Sequence, residues 1–211
     1  DKKAILVIGA GDATGGAIAR RFAREGYIAC VTRRTANKLE PLVKQITADG
    51  GQVHGFGSDA RKEEEMVALV ERIERDIAPI EVAVFNIGAN VRFGITETTA
   101  RVYHKVWEMA CFGGFLMGRE AAKVMLPRGR GTIIFTGATA SLRGREGFDR
   151  PGCKAIPYIG GMRGKTGLRR RLGGYPLQRG GDTCEQFVGH ALPLSAASRS
   201  GKRMAHASPF P

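Results

Sequence analysis

The residues best suited to chemistry cluster near the start of the chain. An apolar run at residues 4–9 (AILVIG) passes directly into Gly9-Ala10-Gly11-Asp12-Ala13-Thr14-Gly15-Gly16. A glycine-rich turn between a strand and a helix lets backbone N–H groups approach a pyrophosphate, which the positive end of the helix attracts. Position turns a weak spacing into a nucleotide-binding signal, because the glycines follow the first strand and open the first helix. Gly9, Gly11, Asp12, Thr14 and Gly15 are the resulting candidates. The next apolar run, residues 27–32 (YIACVT), ends in Thr32-Arg33-Arg34, where an NAD site would place Asp or Glu on the ribose hydroxyls. Two guanidiniums at that point suit a 2′-phosphate, since Arg forks onto phosphate oxygens and no acidic residue is expected to oppose them. The expected cofactor is NADP(H) ahead of NAD(H).

The elements that would position these residues follow from periodicity. Strand-like runs at 4–9, 27–32, 52–58, 80–86 (IEVAVFN) and 132–136 (TIIFT) alternate with helical patterns at 15–26, 37–49, 62–78 and 99–126. Pro79 stops the third helix, whose Met66, Val67, Leu69, Val70, Ile73 and Ile77 are expected to share one face. Each parallel strand needs a crossover connection, so this alternation predicts an α/β fold, a doubly wound parallel sheet of the Rossmann-like kind.

Composition divides the chain. Of 211 residues, 43% are apolar and 25% charged, which fits a soluble globular protein and excludes collagen, coiled coil and a disulfide-stapled miniprotein. The longest apolar runs are far too short for a membrane span, and the N-terminal run leads into glycines with no cleavage site, so the expected location is cytoplasmic. Cys30, Cys111, Cys153 and Cys184 lie far apart, which predicts reduced thiols and no metal site. The net charge is +13, yet residues 1–146 contribute +5 and residues 147–211 contribute +8. Ile, Val and Leu number 31 before residue 147 and 8 after it, while 12 of the 30 glycines and 6 of the 9 prolines fall in the last 65 residues. So few apolar anchors do not offset the entropy of ordering that backbone. The expected organisation is a dinucleotide-binding domain at 1–146 and a basic Gly/Arg/Pro-rich tail at 147–211 without a clear core, leaving the sheet incomplete after the fifth strand.

Over residues 4–146 the sequence resembles the short-chain dehydrogenase/reductase (SDR) family. The family's T-G-x-x-x-G-x-G aligns with residues 8–15, keeping Gly9 and Gly15 and replacing the middle glycine with Ala13. Asp59 looks like the family's adenine-contacting aspartate, and Asn86 and Gly88 stand in its N-N-A-G. Residues 132–144 are similar to its serine-bearing strand and loop. The resemblance implies hydride transfer between a nicotinamide and a carbonyl or alcohol carbon, with Tyr as acid/base, Lys beside it, and Ser and Asn in support. In this chain the Ser position is Ala138, the Tyr position Pro151, the Lys position Ala155 and the Asn position Ala110. Thr136, Thr139, Ser141 and Lys154 are near those places, and Tyr158 and Tyr175 lie downstream, Tyr175 with Arg179 four residues on.

The catalytic residues are thus unknown from sequence, and the expected function is an NADP(H)-binding oxidoreductase of impaired activity. A nucleotide-binding protein without dehydrogenase activity is the alternative. A non-specific nucleic-acid binder is a third, resting on Arg169-Arg170-Arg171 with Lys165, Arg163 and Arg179; it has too few aromatics for base stacking. Family members commonly pair through helices, so the expected partners are the dinucleotide, an unidentified small substrate and a second copy through the 99–126 helix. No membrane partner is expected. Two origins for residues beyond Gly144 stay open: an altered reading frame of a GC-rich gene, and a genuine divergent tail.

Overall fold

The computed structural model describes residues 2–88, 96–137 and 192–193. Strand β1 (Ala4–Ile8) is buried along its whole length, as a central parallel strand covered on both faces must be. It pairs in parallel with β2 (Ile28–Arg33) on one side and β4 (Ile80–Phe85) on the other. Edge strand β3 (Val53–Gly57) lies beyond β2, and β5 (Thr132–Phe135) beyond β4. The order β3-β2-β1-β4-β5 reverses direction at β1, and that switch point opens a crevice at the carboxyl ends of the strands.

Alternation along β1 divides the core. Ala4, Leu6 and Ile8 face α3 (Glu63–Asp76) and α5 (Gly113–Met125), packing with Met66, Leu69, Val70, Ile73, Leu116 and Met125. Ile5 and Val7 face α1 (Thr14–Arg24) and α2 (Glu40–Ala48), among Ala19, Ala23, Leu42 and Ile46. The period-2 and period-3.6 patterns meet in two layers of helix on one sheet, as the doubly wound expectation requires.

Two details depart from the sequence expectations. The single helix expected at 99–126 is α4 (Ala100–Trp107), a π-helical turn Glu108–Phe112, and then α5. Thr99 starts it, accepting the Val102 N–H at 3.3 Å. After the π turn Gly113 lies against the β3–α3 connection, so close that a Cβ would stand 3.2 Å from the Ala60 carbonyl oxygen. The second departure is a two-residue strand β6 (Leu192–Pro193), antiparallel to β5 in the register Ile133 to Leu192. It falls in the one sizeable apolar cluster of the last third, and beyond β5 it is the only strand among the described residues. The remaining expectations for residues 147–211 lie outside the described residues.

Glycine is required at Gly9, whose φ is +86°, and at Gly15, where an added Cβ would stand 2.3 Å from the Gly9 oxygen and 2.9 Å from the Ala10 Cα. Main chain cannot retreat as a flexible side chain can. Gly15→Ala is expected to cost about 1–3 kcal/mol in urea unfolding, as overpacking does elsewhere. Gly11→Ala, with nothing within 4 Å of the added carbon, should leave the unfolding curve unchanged.

Candidate functional site

Helix α1 begins at the carboxyl end of β1, and the turn between them is fixed by main-chain bonds. The N–H groups of Gly9 and Ala10 donate to the Thr32 carbonyl at 3.2 and 3.0 Å, and that of Gly16 donates to the Gly11 carbonyl at 2.9 Å. Asn86, just past β4, donates from Nδ2 to the Gly9 carbonyl at 3.1 Å, so the turn is held from both flanking strands. Ala13, at the place of the motif's middle glycine, has φ −93° and so lies outside the left-handed region that favours glycine. Gly16 was not singled out from sequence, yet its added Cβ would stand 2.5 Å from the Gly11 oxygen.

The crevice beside this turn has a volume of about 270 Å³. Of the residues expected there, Gly9, Gly11, Arg33, Arg34, Asp59, Asn86 and Gly88 line it. Thr14 opens α1, Gly15 packs beneath the turn, and Asp12 projects from it. Sequence reasoning missed Thr32, Ser58, Arg61, Ile87 and Met109, which also line the crevice. Ser58 and Arg61 adjoin Asp59 in sequence, a usable signal; Met109 lies in the π turn, and nothing in the pattern marks it.

Arg33 and Arg34 differ. Arg33 donates from Nη1 to the Lys38 carbonyl at 3.1 Å and meets Asp12 Oδ1 at 3.5 Å. An acidic residue therefore does stand against the arginine pair, which corrects the sequence expectation. The two residues are 21 apart in the chain and meet only because the turn after β1 folds back beside the end of β2. Arg34 is exposed and makes no hydrogen bond or ion pair among the described residues.

Asp59 is held by its neighbours. Arg61 donates from Nε to Oδ1 at 2.9 Å and reaches Oδ2 with Nη2, while the Asp59 amide donates to Glu65 Oε2 at 2.7 Å. Arg61 also approaches Glu108 of the π turn at 3.7 Å, tying the β3–α3 connection to the long helix. The side-chain bond from Arg61 is the main reason the Asp59 carboxyl is held below its ordinary value of 3.8; burial opposes it, and the Arg61 amide and the charges of Arg61 and Arg34 assist. Ser58 Oγ is buried and has no hydrogen-bond partner among the described residues. Such an orphan at the wall of a crevice, with open space over Gly11, fits a polar ligand lying across both.

Two residues at or near the expected catalytic positions are among the described residues. Ala110 is buried in the π turn, and Thr136 donates its hydroxyl to the Phe85 carbonyl at 3.1 Å, which commits it to the sheet. Ala138, Thr139, Ser141, Pro151, Lys154, Ala155, Tyr158, Tyr175 and Arg179 lie outside the described residues, as do Cys153, Cys184 and the basic residues at 163–171. Burial pushes the Cys30 thiol up to about 12, so it is not a nucleophile. Among the described residues no group of His, Cys, Asp or Glu is placed to hold a metal ion, and no helix is long and apolar enough to cross a membrane.

A parallel sheet with a glycine turn at its switch point defines a Rossmann-type nucleotide-binding protein. Residues 3–150 match the short chain dehydrogenase family model, and the chain belongs to that family. It is 30% identical over 205 residues to a Streptomyces coelicolor protein that carries the provisional name ketoacyl reductase, covering 94% of this chain and 75% of that one. A short-chain dehydrogenase from Rhodopseudomonas palustris shares 49% identity and superposes with a TM-score of 0.67, over 74% of this chain and 76% of its own. The actinorhodin polyketide ketoreductase, crystallised with NADPH, shares 28% identity with a TM-score of 0.72, over 76% of this chain and 62% of its own. Against other curated relatives the chain spans about half their length, 53% and 56% in two cases.

Arg61→Ala is expected to lower stability by about 1–2 kcal/mol at pH 7, where the ionised Asp59 loses its charge-assisted bonds. The sign follows from linkage: a depressed carboxyl stabilises the fold above its unfolded pKa, and that contribution disappears as pH falls through the folded value. Urea unfolding of the two proteins should therefore converge in strongly acidic buffer.

Proposed function

We propose that the chain binds NADP(H) across this crevice and that its hydride transfer to or from a carbonyl or alcohol is impaired. The observation that carries the reading is the presence of Arg33 and Arg34 on the same wall as the glycine turn. The pyrophosphate would lie over Gly9 and Gly11 at the start of α1, with Asp12, Thr14 and Gly15 forming and flanking the turn. Arg33 and Arg34 would hold the 2′-phosphate, and Ser58 and Asp59 the adenine. Asn86 and Gly88 would border the nicotinamide ribose. The bound dinucleotide supplies the hydride; the chain's own share is to bind and orient it. The ketoreductase relative crystallised with NADPH supports this choice of cofactor.

Impairment follows from what stands at the acid/base positions. Ala110 carries no polar group, Thr136 is spent on the Phe85 carbonyl, and the sequence has Pro151 and Ala155 where Tyr and Lys are needed. Positioned acid/base catalysis is worth about 10²- to 10⁴-fold, so its loss leaves binding largely separate from turnover. The same features support the second reading, a nucleotide-binding protein without dehydrogenase activity.

Two further expectations belong here. Residues 1–146 form the dinucleotide-binding unit and 147–211 a separate basic segment, a division supported by the family match ending at residue 150. A second copy would pair through α4 and α5, where Tyr103 and Trp107 are 47% and 37% exposed. Trp107 stacks on Phe112, and Phe112 on Phe115, giving a continuous aromatic ridge for such a contact.

NADPH fluorescence titration tests the reading. Saturable binding is expected, weakened about tenfold or more when Arg33 and Arg34 are both replaced by Ala, with NADH hardly affected. Ketone and aldehyde turnover should stay near background. Equal losses for both cofactors, or brisk NADPH oxidation, would contradict it.

A further inference from the structure

Arg33 is anchored from one side and contested from the other. Its Nη1 donates to the Lys38 carbonyl, a main-chain group that stays in place whatever binds, and also meets the Asp12 carboxylate at 3.5 Å. The arginine side chain is 28% exposed while that of Asp12 is 87% exposed, so the guanidinium is the fixed member of the pair and the carboxylate the one that can turn away. Nε and Nη2 of Arg33 have no partner among the described residues, which leaves one edge of the fork available to an incoming phosphate. A phosphate on that edge would still lie within a few ångströms of a second anion.

We infer that Asp12 is a specificity-determining residue that works against Arg33 and Arg34 and narrows the preference for NADP(H) over NAD(H). The inference rests on the dinucleotide reading above and refines it. With the 2′-phosphate present, Asp12 competes for Arg33 and repels the dianion. With only a 2′-hydroxyl present, the same carboxylate can accept its hydrogen bond, as the acidic residue of an ordinary NAD site does. The turn after β1 thus carries the acid that the end of β2 lacks, and cofactor choice is set by a balance across the crevice rather than by the arginines alone.

Adenosine 2′,5′-bisphosphate and adenosine 5′-monophosphate differ only in the 2′-phosphate, so calorimetric titration of the full chain with each isolates this balance. Asp12→Asn is expected to tighten the bisphosphate by about two- to fivefold, the range of an exposed ion pair, and to leave the monophosphate within about twofold or slightly weaker. The gain should be largest at low salt and should shrink when Arg33→Met is already present. An unchanged ratio between the two ligands, or a gain undiminished in the Arg33→Met background, would overturn the inference while leaving the nucleotide site intact. Failure of either ligand to bind the parent chain or the variant would instead remove the dinucleotide reading, and this inference with it.

Discussion

Helix α1 can reach the end of β1 only because Gly15 lacks a side chain. Its Cα lies so near the Gly9 carbonyl that a methyl group would stand 2.3 Å from the oxygen, and 2.9 Å from the Asn86 amide nitrogen. That approach places the helix N-terminus, the bend at Gly9 and the side chain of Asn86 in one small volume. Asn86 then bonds the Gly9 carbonyl, and the Asn86 amide donates to Ile8 at 2.8 Å, so β4 is locked to the turn that β1 feeds. The whole junction of β1, α1 and β4 depends on this packing. Moving α1 outward by the width of a methyl would shift the N–H groups of its first turn away from the crevice they border.

The other end of the crevice, around Arg33 and Asp59, is governed by charge instead. The ion pairs of Asp12 with Arg33 and of Asp59 with Arg61 differ in strength. Asp59 and Arg61 are 16% and 26% exposed and share several bonds, so the pair behaves as a fixed wall that is also tied to Glu108. Asp12 is mostly in water and makes one long contact, so solvent and salt screen it and a ligand can rearrange it. The crevice therefore combines a rigid wall at Asp59 and Arg61 with an adjustable corner at Arg33.

Most of the scaffold was legible because its signals are local. The five parallel strands fall within a residue or two of the runs at 4–9, 27–32, 52–58, 80–86 and 132–136, since apolar β-branched runs between helical stripes have few other uses. The glycine turn and the arginine pair were legible for the same reason. What escaped depends on contacts between distant residues. Helical periodicity over 99–126 gives no sign of the extra residue accommodated at Glu108–Phe112, which matters only where Gly113 meets Ala60. The encounter of Asp12 with Arg33 and the reach of Arg61 to Glu108 likewise exist only once three loops share one rim. The catalytic positions escape for a different reason: the composition changes where the family pattern has its Tyr and Lys, which in the alignment fall at Pro151 and Ala155.

In the proposed function a dinucleotide lies along the rim formed by the turn after β1 and the ends of β2, β3 and β4. Hydrogen exchange followed by mass spectrometry, with and without saturating NADPH, tests it most directly. Slowed exchange is expected in peptides covering residues 9–16, 32–38, 58–61 and 86–88, with α2 and the outer face of α3 unchanged. Slowing confined to other parts of the chain, or none in those four segments while NADPH is bound, would contradict it.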